Sequence, residues 1–225
     1  MRKLKTKKIV PFIKNSFLNL KLTLVQMLWA NVHLGHRRKF LNVKIKPYLL
    51  GLRNDVYILN LFKTIYQLKL IMSIITNLIS LRNKLLVIKD KDAFNFKVSL
   101  FFKNVYFYDK KWIGGLLTNF KRIKYGLKFK EENSSRGGLR RMKRFPSLVF
   151  FFDVDLSFWA VAEASNLDLP IAAVIDSNIN FLNIINYFVV GNNKSFESSY
   201  LYLNLLRNSV LKGHQKEILK ILKIC

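Results

Sequence analysis

Five short apolar runs constrain what this chain can fold into more than anything else in it. They are KLLVIK at residues 84–89, NVYFY at 104–108, LVFFF at 148–152, IAAVI at 171–175 and YFVV at 187–190. None alternates cleanly between apolar and polar positions, as a strand with one wet face would. Such runs suit strands buried on both faces. Around them, residues 93–103, 118–129, 157–166 and 195–211 show apolar side chains at helical spacing. This alternation predicts an α/β fold, a mostly parallel sheet of about five strands flanked by helices.

The chain before the first run reads differently. Phe17, Leu20, Leu24, Met27 and Leu28 predict a helix over 16–30 with Ser16 as its cap. Residues 42–60 read as irregular extended structure. Pro47 biases Lys46 away from helix, Gly51 permits a turn, and 56–59 suits a short strand. A long apolar helix follows over 61–81. Residues 130–144 are a loop by composition, and the piece from Gly213 onward reads as a loosely ordered basic tail.

Charge is segregated along the chain. Lys and Arg number 39 against 13 acids, a net charge of +26. Every charged residue before Asp55 is basic, and Lys and Arg crowd 110–144 around Glu131 and Glu132. From 145 to 193 every charged residue is an acid. A polyanionic partner is the first inference, either nucleic acid or an anionic membrane face that would hold the basic N-terminal region. The segregation argues for one region pressed on phosphate and another turned away. The single cysteine, Cys225, leaves no internal disulfide framework and fits a reducing compartment. The basic N-terminus lacks the unbroken apolar centre of a signal peptide. The greasiest segment, 71–81, is too short for a membrane crossing, which takes roughly 20 apolar residues, so no membrane span is expected. Heavy use of Lys, Asn, Ile and Phe points to an AT-rich gene.

Local chemistry leaves several uses open. In Lys111-Trp112-Ile113-Gly114-Gly115-Leu116-Leu117-Thr118-Asn119 the paired glycines allow a tight turn, and Thr118 suits a helix cap. Trp112 either stacks on a nucleic-acid base or plugs the core. His33 and His36 lie beside Arg37 and Arg38; they suit hydrogen bonds to phosphate or backbone better than half of a metal site, which needs more donors. Asp153, Asp155 and Asp176 follow buried strands, where α/β folds place ligand-binding groups. They read either as a phosphate-ligand site of a doubly wound enzyme or, for Asp153 and Asp155, as caps for the next helix. No G-x-G-x-x-G or G-x-x-x-x-G-K loop accompanies them.

Several of these segments together resemble one known family. Asn31-Val32-His33-Leu34-Gly35-His36 is similar to G-V-H-F-G-H of small-subunit ribosomal protein two, the universal S-two family. Asn42 to Tyr48, Gly51, Arg53 and Asn54 are similar to its N-P-K-M-K-P-Y-I-x-G-x-R-N, and 58–64 to the I-I-N-L-x-K-T that follows. Trp112 to Phe120 resemble W-L-G-G-x-L-T-N-F, and Phe145-Pro146 resemble L-P. Phe152 to Asp155, Glu163-Ala164, Leu169 to Ile171, Val174 to Asn178 and Val190 to Asn193 track the remaining core.

The resemblance implies a flavodoxin-like three-layer domain over 31–211, behind a basic extension and helix at 1–30 and ahead of the tail at 212–225. It implies a structural, non-catalytic constituent of the small ribosomal subunit, without cofactor, metal or small-molecule substrate. Its partners would be small-subunit rRNA and neighbouring ribosomal proteins, and its role subunit assembly and translation. The residues expected at RNA are His33, His36, Arg37, Arg38, Lys39, Lys44, Lys46, Arg53, Asn54, Lys110, Lys111, Trp112, Gly114, Gly115, Asn119, Lys121, Arg122, Arg140, Arg141, Lys143 and Arg144. Bacterial members carry a long helical hairpin where this chain has only 130–144. With the AT-rich composition and high charge, that shortening suggests a mitochondrial member, located in the matrix ribosome; a plastid or bacterial cytoplasmic member is the alternative.

Overall fold

The computed structural model describes residues 23–89, 103–108, 111–122, 139, 142, 144–179 and 182–224. Its centre is a five-stranded sheet of β4 (Leu85–Ile88), β5 (Val105–Tyr108), β6 (Leu148–Phe151), β7 (Ile171–Ile175) and β8 (Tyr187–Val190). All neighbouring pairs are parallel and the order is β5-β4-β6-β7-β8. Counted from β4 this is the 2-1-3-4-5 order of flavodoxin-like folds, which switches direction between β4 and β6. Every residue of β4, β6 and β7 is buried, which is why these runs never alternate.

Two core layers sandwich the sheet. On one face lie α1 (Leu24–Trp29), α2 (Leu61–Ser80) and α4 (Phe196–Ile224), packed through Met27, Leu68, Ile71, Ile75, Ile79, Tyr202 and Leu206. The other holds α3 (Phe158–Asn166), the loop of Trp112, Leu116 and Leu117, and Ile45 and Leu59 from nearer the N-terminus. The outer edge of β8 is partly covered by α2. Val190 donates its N–H to Gln67 Oε1 at 3.0 Å, and its carbonyl accepts from Thr64 Oγ1 at 2.7 Å.

A second sheet precedes this domain core. Strands β1 (Leu34–Arg37), β2 (Leu49–Arg53) and β3 (Val56–Leu59) pair antiparallel in the order β1-β3-β2. Asn54 and Asp55 join β2 to β3 with φ of 47° and 61°, the left-handed pair that a two-residue hairpin turn requires. The stretch expected to be irregular over 42–60 is therefore a 3₁₀ segment, Val43–Tyr48, followed by a hairpin. Nothing in the residues of β1 announced a strand; its pairing with β3 makes it one.

Other boundaries also differ from expectation. The first described helix opens at Thr23, whose side chain and that of Gln26 form a reciprocal capping box, while Ser16 lies outside the described residues. The helix expected over 93–103 lies outside them too, apart from Lys103 in a turn, as does most of 130–144. Of the helix expected over 118–129, residues 120–122 are described as helical and Thr118 sits in the turn before them. The last helix does not stop at 211. It runs to Ile224 because Gly213 lets α4 lie against α2: a Cβ there would fall 2.7 Å from Ile79 Cβ. Thr76 Oγ1 also donates to the Ser209 carbonyl at 3.2 Å, and Arg82 Nε meets Glu217 Oε1 at 2.8 Å. Among the described residues no helix is long and apolar enough to cross a membrane.

Candidate nucleic-acid interface

The motifs singled out in the sequence converge beyond the carboxyl ends of the parallel strands. After β5 the chain makes the turn of Lys111 to Asn119, and a single carboxylate organises it. Glu163, buried on α3, accepts from Trp112 Nε1 at 2.9 Å, Gly115 N at 2.6 Å, Leu117 N at 2.8 Å and Thr118 N at 3.1 Å. Burial pushes the Glu163 carboxyl up, but these bonds outweigh it and hold the group below the usual Glu value. Gly115 takes φ of +90°, a left-handed conformation that turns its N–H toward the carboxylate.

Of the two uses open to Trp112, the structure adopts the core. Its ring is 7% exposed and meets Tyr108 edge-on, with centroids 5.0 Å apart. The ring is not presented for stacking on a base. Thr118 does not cap the following helix with its side chain as expected; its N–H and hydroxyl point to Glu163. What the turn shows to solvent is Lys111, Ile113, Gly114, Thr118 and Asn119, followed by Lys121 and Arg122. Phe120 and Phe145 touch at 5.5 Å between centroids, which brings exposed Arg144 toward the same end. Lys110, Arg140, Arg141 and Lys143 lie outside the described residues.

The N-terminal basic motif docks on β7. His36 donates its backbone N–H to Ser177 Oγ at 2.8 Å, and its Nδ1 lies 2.9 Å from Asp176 Oδ2. Asn42 holds the same turn through its N–H on the Ser177 carbonyl at 2.9 Å and its side-chain amide on the Ile179 carbonyl at 2.5 Å. The Asp176 bond raises the His36 pKa above its ordinary value, against the opposing effect of burial. His36 thus faces inward, and burial lowers the His33 pKa. Arg37, Arg38, Lys39, Lys46, Arg53 and Asn54 are exposed, as is Lys44, whose Nζ reaches Asn183 Oδ1 at 2.7 Å.

The three aspartates are occupied by protein groups. Asp153 accepts from the N–H groups of Asp155 and Leu156 and meets Lys194 Nζ at 2.7 Å. It closes the turn before α3 and does not cap the helix itself. Asp155 accepts from the Asn178 side chain at 3.2 Å; burial, then the nearby Asp153, raises its pKa. Asp176 accepts from the N–H of Ser177 at 2.5 Å besides meeting His36. Sequence reasoning missed Lys194, whose N–H donates to the Asn192 side chain. It met Asn192, which also donates to the Asn31 carbonyl, and Glu163 only within the resemblance. Its signal was there: a lone acid on the buried Ala160, Val161, Ala164 face of a helix must find donors.

A family model described as Ribosomal protein S2 matches residues 27–137 and 124–213. A small ribosomal subunit protein uS2 from Pseudoalteromonas atlantica is 30% identical over 222 residues, spanning 85% of this chain and 91% of that protein. Proteins of the same name from Tolumonas auensis (28% over 228 residues, 88% and 94%) and Shewanella woodyi (29% over 222 residues, 85% and 91%) are similar too.

Proposed function

Because the chain belongs to the ribosomal protein S2 family, we propose that it is a structural constituent of the small ribosomal subunit that docks on small-subunit rRNA. As a member of that family it is a structural protein and not an enzyme. The observation that supports RNA docking most is the anchoring of both basic segments. Ile45 and Leu59 of the first, and Trp112, Leu116, Leu117 and Phe120 of the second, belong to one core layer on one face of the sheet. Their apolar residues hold the segments down, and their cations remain on the surface.

In this reading Arg37, Arg38, Lys39, Lys44, Lys46, Arg53, Lys111, Lys121, Arg122 and Arg144 neutralise phosphate, and Asn54, Gly114 and Asn119 fit the backbone locally. Trp112 and Gly115 serve by shaping the turn, and His33 and His36 by seating β1. Lys110, Arg140, Arg141 and Lys143 add to the same charge. Neighbouring subunit proteins complete the set of partners, and the role is assembly and translation. The finer placement we propose is a mitochondrial ribosome, on the AT-rich composition, the charge of +26 and the short 130–144 interval; the relatives named above come from bacteria.

The test is binding to small-subunit rRNA across a salt series, with incorporation into subunits measured alongside. Affinity should fall steeply, with a log–log slope of about −0.9 per phosphate on duplex or about −0.7 on single strands. Reversing Arg37 and Arg38 to Glu should impair incorporation. A flat salt response, or normal incorporation of that variant, counts against the interface. Fractionation that finds the protein on cytosolic or plastid small subunits overturns the mitochondrial placement alone.

A further inference from the structure

Of the three tryptophans in this chain, one is both open to solvent and beside the basic turn. Trp112 is buried. Trp29 is exposed on α1, which packs in the helical layer across the sheet from that turn. Trp159 is 67% exposed in the first turn of α3, whose Ala160, Val161 and Ala164 pack in the layer that carries both basic segments. It precedes Glu163 by four residues, so the two are neighbours on one side of the helix, about 5–6 Å apart at Cβ. Glu163 grips the turn from Trp112 to Thr118, which sets the Trp159 indole next to that turn. Phe158 braces the indole, with ring centroids 5.7 Å apart and planes at 61°. At such exposure the indole keeps a face open. The turn is open too, since a Cβ added at Gly114 would meet nothing within 4 Å.

We propose that Trp159 stacks on an unpaired nucleobase of the RNA seated on this turn; this rests on the RNA-docking reading above. Unpaired RNA bases are read in this way, splayed out and stacked on an aromatic side chain. Charge favours a base over a phosphate at this ring. Exposed Lys111 and Lys121 meet phosphate at the turn, whereas every charged residue from 145 to 193 is an acid. The acids that flank Trp159 in the chain are engaged by protein groups. Glu163 holds the turn, Asp153 meets Lys194 at 2.7 Å and Asp155 accepts from the Asn178 side chain at 3.2 Å. Their charge still repels a phosphate, but it does not repel a neutral base that offers a π-face. The RNA backbone therefore stays on the turn, and the contact at α3 is made by the base alone.

The experiment repeats the salt series on small-subunit rRNA with the full chain carrying Trp159→Ala, Trp159→Leu or Trp159→Phe. Ala and Leu should each weaken binding about tenfold at every salt concentration, and Phe, which keeps a stacking face, should stay near the parent. The log–log slope should not move, because no phosphate contact is lost. Near-parent binding by the Leu variant would reduce the site to apolar cover and overturn the proposal. So would a slope shallower by about one, the mark of a lost phosphate contact. Subunits assembled in the cell and irradiated with ultraviolet light should yield the Trp159 peptide with a nucleotide attached. A peptide of another protein in its place overturns the stack. A steep salt response shared unchanged by the parent and all three variants removes Trp159 and leaves the RNA reading standing. A flat response of the parent overturns both.

Discussion

Glu163 Oε1 accepts a hydrogen bond from Trp112 Nε1 at 2.9 Å, joining residues 51 apart in the chain. The same carboxylate takes the N–H groups of Gly115, Leu117 and Thr118, so one side chain fixes both the buried ring and the exposed cations around it. Replacing Glu163 by Ala strands at least the Trp112 and Leu117 donors in the core, at about 1–3 kcal/mol each. Urea denaturation should show a loss of about 3 kcal/mol or more. Because the folded carboxyl sits below its ordinary value of 4.5, its contribution is present above that pH and fades as pH falls through the folded value. An Ala variant as stable as the parent at neutral pH would remove Glu163 from this role.

Gly191 and Tyr202 make a second pair. A Cβ at Gly191 would run into the Tyr202 hydroxyl, which is buried without a hydrogen-bond partner among the described residues. Gly191→Ala should destabilise by about 1–3 kcal/mol through overpacking. Tyr202→Phe removes the obstructing atom and should restore much of that loss, with little effect of its own. Thermal melts of the two single variants and the double variant give the coupling directly; strict additivity would refute the clash.

Gly213 should tolerate no side chain for a related reason. Alanine normally favours a helix interior over glycine by about 1 kcal/mol. Here the new Cβ would meet Ile79 Cβ and Cγ2 at 2.7 and 2.9 Å and the Thr76 carbonyl at 2.9 Å, so the sign reverses. Gly213→Ala should lower the melting temperature, and Gly213→Val should lower it further. A raised melting temperature for the Ala variant would mean that α4 does not pack on α2 there.

His36 predicts a pH effect in the opposite direction to Glu163. Its pKa lies above 6.5 when folded, held there by Asp176, with Asp155 helping and Lys194 opposing. The folded state therefore binds that proton more tightly, and the added stability is complete below 6.5 and lost as pH rises through the folded value. The melting temperature should decline as pH rises above 6.5, and His36→Gln should flatten that part of the curve. An identical slope in the variant would assign the decline elsewhere.

The sequence by itself settled the class of fold, because a strand buried on both faces has no polar alternation to show and must read as a plain apolar run. IAAVI and YFVV needed no correction at either end, since the turns around them lie next to them in the chain. It also settled the family and the segregation of charge, which are written in residue order. The tertiary structure decided which way each motif residue faces. Trp112 turns inward because Glu163, on another element, offers it an acceptor, and His36 turns inward because Asp176 lies beneath β1. Strand β1 exists through its ladder to β3, and the last helix continues past Gly213 because α2 receives it. Each outcome depends on a partner far along the chain, and local propensity carries no record of such a partner.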